Sequence, residues 1–166
     1  MVAKGSGFNF KNFTTYLVNG RKCVDVKYYV GIVRNVDQTE KSQQLVESQQ
    51  KFLQKLQDSG ITIERGRIVY DHKPREKGID VKMAIDIVLG AVNNEYDSVV
   101  LISSDTDLMP AIKYVQSKGK KIEYVGFSHR FSNALLNSAN EKRLLAPADV
   151  QPFCFGKTKS IIEEIK

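Results

Sequence analysis

Residues 98–107 read SVVLISSDTD, an apolar run followed by a polar segment with two aspartates. From Ser98 to Ser103 it is a continuous apolar run of strand length, which is typical of a central parallel strand covered on both faces. The polar residues up to Asp107 end that strand. Because ligands bind outside the carboxyl ends of parallel strands, Asp105 and Asp107 are predicted to lie at the mouth of a site.

Outward from this strand, predicted strands and helices alternate along the chain. The strands lie at 23–33, 61–69, 98–103 and 121–126, and the helices at 41–58, 79–93, 108–118 and 132–145. This order predicts an α/β domain with a doubly wound, mainly parallel sheet flanked by helices. The helix at 79–93 is apolar on nearly all sides, so we expect it to be largely buried. The basic stretch 70–78 contains Pro74 and Gly78 and is expected to be a loop.

Size and composition limit the function classes. A length of 166 residues suits one domain, expected at 1–146, followed by a tail at 147–166 that packs peripherally or is mobile. The net charge of +6 favours a polyanionic partner. No apolar run approaches the ~20 residues that cross a bilayer and no signal peptide is evident, so we expect a cytoplasmic protein. Cys23 and Cys154 lie in no metal-type spacing and are expected to be reduced.

Three aspartates form a candidate metal site. Asp80 begins the apolar helix at 79–93, and with Asp105 and Asp107 it gives three carboxylates at strand-end positions. Such oxygen ligands suit Mg²⁺ or Mn²⁺. The alternative is structural, with Asp80 and Asp107 as helix N-caps and Asp105 as a turn residue. Asp86 is expected either to contact the metal ligands without touching the ion or to form a salt bridge with a nearby Lys or Arg.

Several motifs carry a family resemblance. Residues 77–82 (KGIDVK) with Asp86, and residues 103–108 (SSDTDL), are similar to the K-G-[VI]-D and S-G-D-S-D-F stretches of NYN and LabA-like domains, which have a PIN-like fold. Residues 7–9 (GFN) match the G-x-N part of that family's first motif, I-D-G-x-N. The resemblance extends from residue 7 to about residue 145. It implies a metal-dependent endoribonuclease that acts on single-stranded RNA.

One departure from the family pattern bears on activity. Ser6 occupies the position of the first acidic residue, and residues 1–5 do not form an apolar strand. Either the natural protein has this serine, or residues 1–6 are a leader from an expression vector. As written, the chain is expected to be an impaired ribonuclease; the alternative is a catalytically silent module that binds RNA or a partner protein. A phosphoacceptor receiver domain is disfavoured, because Ser6 and Phe127-Ser128 replace the residues it requires.

The resemblance also implies roles for single residues. Asp105 would be the principal metal ligand, Asp80 and Asp107 ligands or positioners of water, and Asn9 a hydrogen-bonding group beside the scissile phosphate. Three carboxylates suit one Mg²⁺ or Mn²⁺ that keeps part of its water better than a two-ion site. Basic residues near Asp80 are candidate contacts to RNA phosphates, the alternative being a solvated basic loop; they are Lys73, Arg75, Lys77 and Lys82. The sequence is also compatible with a homo-oligomer or with a protein partner.

Overall fold

The computed structural model of the chain describes residues 7–33, 35, 38–71 and 73–155, with the backbone alone for 67–71 and 73–77. The helices are α1 (Phe10–Val18), α2 (Glu40–Asp58), α3 (Ile79–Val92), α4 (Met109–Ser117), α5 (Asn133–Ser138) and α6 (Pro147–Val150). The strands are β1 (Gly7–Phe8), β2 (Lys27–Gly31), β3 (Thr62–Asp71), β4 (Lys73–Lys77), β5 (Ser98–Leu101), β6 (Lys121–Phe127), β7 (Glu141–Leu145) and β8 (Cys154–Phe155). Short 3₁₀ turns cover Thr106–Leu108 and Gln151–Phe153.

The chain divides into two compact units. The first comprises the described residues of Met1–Lys22 and Ile87–Lys166, and the second comprises those of Cys23–Asp86. Both units combine helices with parallel strand pairs, which confirms the predicted α/β class. The doubly wound arrangement of a single sheet stays a prediction, because the described strands form separate sheets.

In the first unit, a parallel sheet has the order β5-β6-β7. Its middle strand β6 is buried from Ile122 to Gly126, as expected for a strand with helices before and after it. Among the described strands β5 pairs with β6 alone, so its predicted central position stays a prediction. Only Leu101 of β5 is buried, and Ile102 directly after it is 43% exposed, so the described residues do not cover both faces of the apolar run.

The start of the chain and the described part of the tail pack together in the first unit. β1 pairs antiparallel with β8, and the backbone N–H of Asn9 donates to the carbonyl of Phe153 at 2.8 Å. The Phe13 ring is buried and lies 5.2 Å from that of Phe8 and 5.3 Å from that of Phe153. Phe8 and Phe13 therefore belong to the hydrophobic core of this unit. Residues 1–6 and 156–166, with Ser6 and the end of the predicted tail, lie outside the described residues.

In the second unit, β2 and β3 are parallel and α2 connects them. The Thr39 hydroxyl caps α2 by accepting a hydrogen bond from the N–H of Ser42, and Leu53 and Leu56 are its buried residues. Gly60, with a φ of 82°, follows its end in a left-handed conformation that favours glycine. The predicted helix at 41–58 is therefore confirmed.

The predicted loop at 70–78 is wrong. β3 continues to Asp71 and β4 returns antiparallel to it, with Pro74 opposite Tyr70. Proline is tolerated here because β4 is the edge strand of the order β2-β3-β4, where a missing N–H breaks no ladder on the outer side. Pro74 therefore marks an edge strand and not a loop.

The predicted helix at 132–145 is wrong in its second half. α5 ends at Ser138, and Glu141–Leu145 forms β7, parallel to β6. Asn140 links the chain after α5 to β6 through two hydrogen bonds. Its N–H donates to the Ile122 carbonyl at 2.9 Å, and its side-chain oxygen accepts from the Ile122 N–H at 2.9 Å. Pairing with a distant strand overrides the local helical pattern.

The predicted burial of α3 is also wrong. Ile79, Ile87 and Ala91 are buried, but a line of aliphatic side chains on the opposite face is exposed. The bounds of this helix agree with the prediction to within one residue. Among the described helices, none is both long and apolar enough to cross a membrane.

Candidate functional site

The turn after β5 holds two carboxylates, Asp105 and Asp107, in the first unit. The Asp105 carboxylate accepts a hydrogen bond from the backbone N–H of Asp107 at 2.8 Å and so caps the 3₁₀ turn. The N–H of Asp105 donates to the hydroxyl of Ser103 at 3.1 Å. The predicted alternative of Asp105 as a turn residue is therefore confirmed, whereas Asp107 is exposed and does not cap α4, so its predicted N-cap role is wrong. The turn presents two carboxylates at the carboxyl end of a parallel strand.

This pair has a limited capacity for metal ions. Within the described part of the chain, no group of three or more His, Cys, Asp or Glu side chains could hold a metal ion. Mg²⁺ often keeps several waters and binds through one or two carboxylates together with substrate phosphates. Two carboxylates are too few for a two-ion site or for an ion coordinated by protein alone, and the binding of a hydrated ion by Asp105 and Asp107 stays a prediction.

Asp80 lies in the second unit, in the first turn of α3, and it is exposed. The helix starts after Gly78, whose φ is 83°, so this carboxylate lies near the positive end of the helix dipole. The predicted sharing of one ion by Asp80, Asp105 and Asp107 stays a prediction.

Asp86 is the centre of an ion-pair network in the second unit. The Tyr29 hydroxyl donates to its carboxylate at 2.9 Å, and the ammonium groups of Lys27 and Lys82 lie 3.6 and 3.7 Å from it. The predicted salt bridge is therefore confirmed. Burial and then the Asp86 hydrogen bond raise the pKa of Tyr29. Hydrogen bonding to Glu64, at 3.0 Å, raises the pKa of Lys82. An RNA phosphate at Lys82 would have to compete with these two carboxylates.

The other predicted phosphate contacts belong to β4. Lys73, Arg75 and Lys77 pair through their backbones with Asp71, Val69 and Arg67 of β3. Their side chains lie outside the described part of the chain, so their contacts with RNA stay a prediction.

Asn9 is the N-cap of α1. Its side-chain oxygen accepts a hydrogen bond from the N–H of Asn12 at 3.0 Å. The Nδ2 group carries two hydrogen-bond donors, the chemistry that a phosphate oxygen requires. The predicted role beside a phosphate is therefore compatible with the capping role, since the two use different atoms of the amide.

One polar face of α1 was missed at the sequence level. Asn9, Asn12, Tyr16 and Asn19 follow each other at spacings of three, four and three residues, which is one face of a helix. Beside it lies an open cavity of about 410 Å³. Its lining residues are Asn12, Thr15, Tyr16, Asn19, Gly20 and Phe153. Asparagine amides and an exposed tyrosine ring can read base edges and stack on bases.

A buried carboxylate anchors this helix. Glu123 on β6 is 4% exposed and pairs with the guanidinium groups of Arg21 and Arg143. Both arginines also donate to the carbonyl of Leu17 at the end of α1, each at 3.2 Å. The Arg143 guanidinium lies 5.6 Å from the centre of the Tyr16 ring. The network fixes the end of α1 and places positive charge next to Tyr16.

Comparisons with known proteins agree with this architecture. The structure is similar to the crystal structure of a protein of unknown function from Vibrio parahaemolyticus, with a TM-score of 0.62 and 18% identity. That similarity covers 87% of this chain and 82% of the other, and it concerns the fold alone. An uncharacterized protein of Methanocaldococcus jannaschii is 36% identical over 62 residues, or 37% of this chain. The chain spans only 26% of that relative's length.

A family comparison covers far more of the sequence. Residues 1–144 match the NYN domain, which includes the Asn9 region, the start of α3 and the turn after β5. The match extends over most of the 166 residues, and the motifs at 77–82 and 103–108 lie inside it. The chain therefore belongs to the NYN domain family.

Proposed function

We propose that this chain is a metal-dependent endoribonuclease of the NYN type that acts on single-stranded RNA and hydrolyses it weakly. The NYN domain is a nuclease-like family whose nucleases generally depend on divalent metal ions. The observation that carries the proposal is the turn after β5, where Asp105 and Asp107 follow a parallel strand. Ligand sites of open parallel sheets lie at such strand ends.

The turn suits a positioning role. Capping fixes one oxygen of Asp105, and the Ser103 hydroxyl holds its backbone, so the carboxylate is oriented before any ligand arrives. Asp105 and Asp107, with Asp80 from α3, would hold one hydrated Mg²⁺ or Mn²⁺. When bound, such an ion supplies Lewis-acid polarisation of a phosphoryl oxygen. Asn9 would orient a phosphate through its Nδ2 donors.

RNA contacts are proposed at two places. In the first unit, Tyr16 and the asparagines of α1 would take an unstacked base, with Arg143 adding positive charge near the ring. In the second unit, Lys73, Arg75 and Lys77 would contact phosphates. Replacing these three by alanine should flatten the slope of log binding constant against log salt concentration by the equivalent of two to three phosphate contacts. Tyr16→Ala should weaken RNA binding but change this slope little. Fluorescence anisotropy at several salt concentrations separates the two effects.

Weak hydrolysis follows from the charge at the site. A two-ion clamp carries four positive charges and needs several carboxylates. Ser6 is neutral, whereas an aspartate there would add a negative charge worth roughly 1 to 4 kcal/mol per close ion pair. The second candidate function, a silent NYN module that binds RNA, is favoured by the absence of a group of three ligands in the described residues.

One experiment separates these two functions. Labelled single-stranded RNA is incubated with Mn²⁺ and the wild-type chain, Asp105→Asn, Ser6→Asp, or the control Asp97→Asn. Asp97 precedes β5, at the opposite end of the strand from Asp105, and is fully exposed. We expect slow cleavage by the wild type and by Asp97→Asn, none by Asp105→Asn, and faster cleavage by Ser6→Asp. A folded Ser6→Asp protein that binds RNA and leaves it intact would identify the silent module; loss of both binding and cleavage would refute both functions.

A further inference from the structure

A second turn of the first unit lies at the same edge of the sheet as the acidic turn. β5 and β6 are parallel neighbours, so the chain leaves both strands at their shared carboxyl end. The turn after β5 leads into α4, the turn at 127–130 after β6 leads towards α5, and these two helices pack against each other. The turn at 127–130 is therefore the neighbour of the turn that carries Asp105 and Asp107.

Hydrogen bonds fix the backbone of the turn at 127–130. The N–H of Arg130 donates to the Phe127 carbonyl at 2.8 Å, and the Phe127 N–H donates to the Arg130 carbonyl at 3.3 Å. The N–H of Ser128 donates to the carbonyl of Leu145 on β7 at 2.9 Å. Because its backbone is already ordered, this turn would lose little conformational entropy when it binds a ligand.

Arg130 is the cation that this turn presents. Its side chain is exposed, and in the described part of the chain its guanidinium group has no carboxylate partner. The other two arginines of the first unit, Arg21 and Arg143, both pair with Glu123. A guanidinium group can form two parallel hydrogen bonds with a phosphate. Arg130 therefore has the chemistry of a phosphate contact and does not have to leave a described carboxylate to make it.

The charges of the two turns complement each other for an RNA ligand. Asp105 and Asp107 carry two negative charges, which attract a metal ion but repel a phosphate. A phosphate that approaches these carboxylates needs positive charge beside it, and guanidinium groups and metal ions supply such charge where phosphoryl groups are transferred. Arg130 offers it from the neighbouring turn of the same unit.

We propose that Arg130 binds a phosphate of single-stranded RNA beside the acidic turn. The inference rests on the proposed function, because a phosphate contact at this edge requires that the chain binds RNA. Arg130 is a binding residue and not a metal ligand, so its contact with RNA does not need the ion. The carboxylates of the neighbouring turn would hold the ion.

Fluorescence anisotropy with labelled single-stranded RNA in EDTA, at several salt concentrations, tests the contact without a metal ion. Arg130→Ala should weaken RNA binding roughly fivefold, as expected for one lost hydrogen-bonded contact. It should also flatten the slope of log binding constant against log salt concentration by about 0.7, the value for one phosphate contact on a single strand. Arg130→Lys keeps the charge and should keep the slope, but it should bind more weakly than the wild type because an ammonium group cannot form the paired hydrogen bonds.

Lys121→Ala is the matched control, because Lys121 is exposed and begins β6, at the opposite end of that strand from Arg130. It should leave the salt slope unchanged. If the wild type binds RNA and Arg130→Ala keeps the full slope, or if Lys121→Ala flattens it equally, this proposal is overturned and the proposed function is not. A wild type that binds no RNA would overturn both.

Discussion

The first unit contains carboxylates in two opposite environments. Glu123 is buried in the middle strand β6 between Arg21 and Arg143, whereas Asp105 and Asp107 lie on a turn at the open end of β5. A buried carboxylate must be paired, since its desolvation is otherwise unfavourable by several kcal/mol. A carboxylate on an open turn needs only its backbone partners. The difference separates a charge that holds α1 in place from charges that are accessible to a ligand.

The largest effect is expected at Glu123, the buried carboxylate. Glu123→Gln leaves two guanidinium groups without their counter-charge, so we expect the free energy of unfolding to fall by about 3 kcal/mol. Urea denaturation measures it. The control is Glu141→Gln, whose exposed pair with Lys121 at 3.7 Å should contribute less than about 1 kcal/mol. Equal losses in the two variants would show that burial does not distinguish these carboxylates.

The next largest effect is expected at Asp105, the carboxylate on the open turn. Asparagine caps a helix as well as aspartate does, so Asp105→Asn should keep the turn and change the unfolding free energy little. It removes a negative charge, and we expect Mn²⁺ affinity to fall at least tenfold, or about 1.4 kcal/mol. Isothermal titration calorimetry measures the affinity, with Asp97→Asn as the control. Unchanged affinity in Asp105→Asn would remove the turn as a metal site.

The smallest effect extends the comparison to Asp86 in the second unit. Tyr29→Phe removes the hydroxyl that donates to this carboxylate and should lower the unfolding free energy by about 1 kcal/mol at neutral pH. Folding raises the pKa of Tyr29 above its usual value of 10.0, so its contribution is present below about pH 10 and is lost as the pH rises further.

Urea denaturation from neutral to alkaline pH measures this dependence. The wild type should lose stability above pH 10 more steeply than Tyr29→Phe. Tyr114→Phe, at an exposed tyrosine of α4, is the control and should follow the wild type. Parallel curves for the wild type and Tyr29→Phe would show that the Asp86 network does not hold this hydroxyl.

The sequence predicted helices and strand ends well where the spacing of apolar residues fitted one type of secondary structure. α2 and α3 were predicted to within one residue at each end because their apolar spacing matches the helical period, and Gly60 and Gly78 lie at their ends. The position of Asp105 and Asp107 after β5 was predicted for the same reason, since a short apolar run followed by polar residues defines a strand end. Membership of the NYN family followed from these motifs and is confirmed.

Only part of the candidate site could be predicted from the sequence. Asp105 was predicted as a turn residue, but the backbone conformation that leaves α4 without a cap from Asp107 could not be predicted from the sequence. The polar face of α1 had a signal in the spacing of its asparagines, but the cavity beside it depends on Phe153, which is distant in sequence. The partners of Glu123, Arg21 and Arg143, are likewise far apart along the chain.

Sequence patterns alone were enough for the α/β class, the family and the approximate positions of α2, α3, β5, α4 and β6, because periodicity and motifs are properties of neighbouring residues. Only the tertiary structure decided that 141–145 is a strand, that Pro74 lies on a paired edge strand and that one apolar face of α3 is exposed. These outcomes depend on hydrogen bonds and on burial between residues far apart in the chain. A local pattern shows that a face is apolar, and only the folded chain shows what covers it.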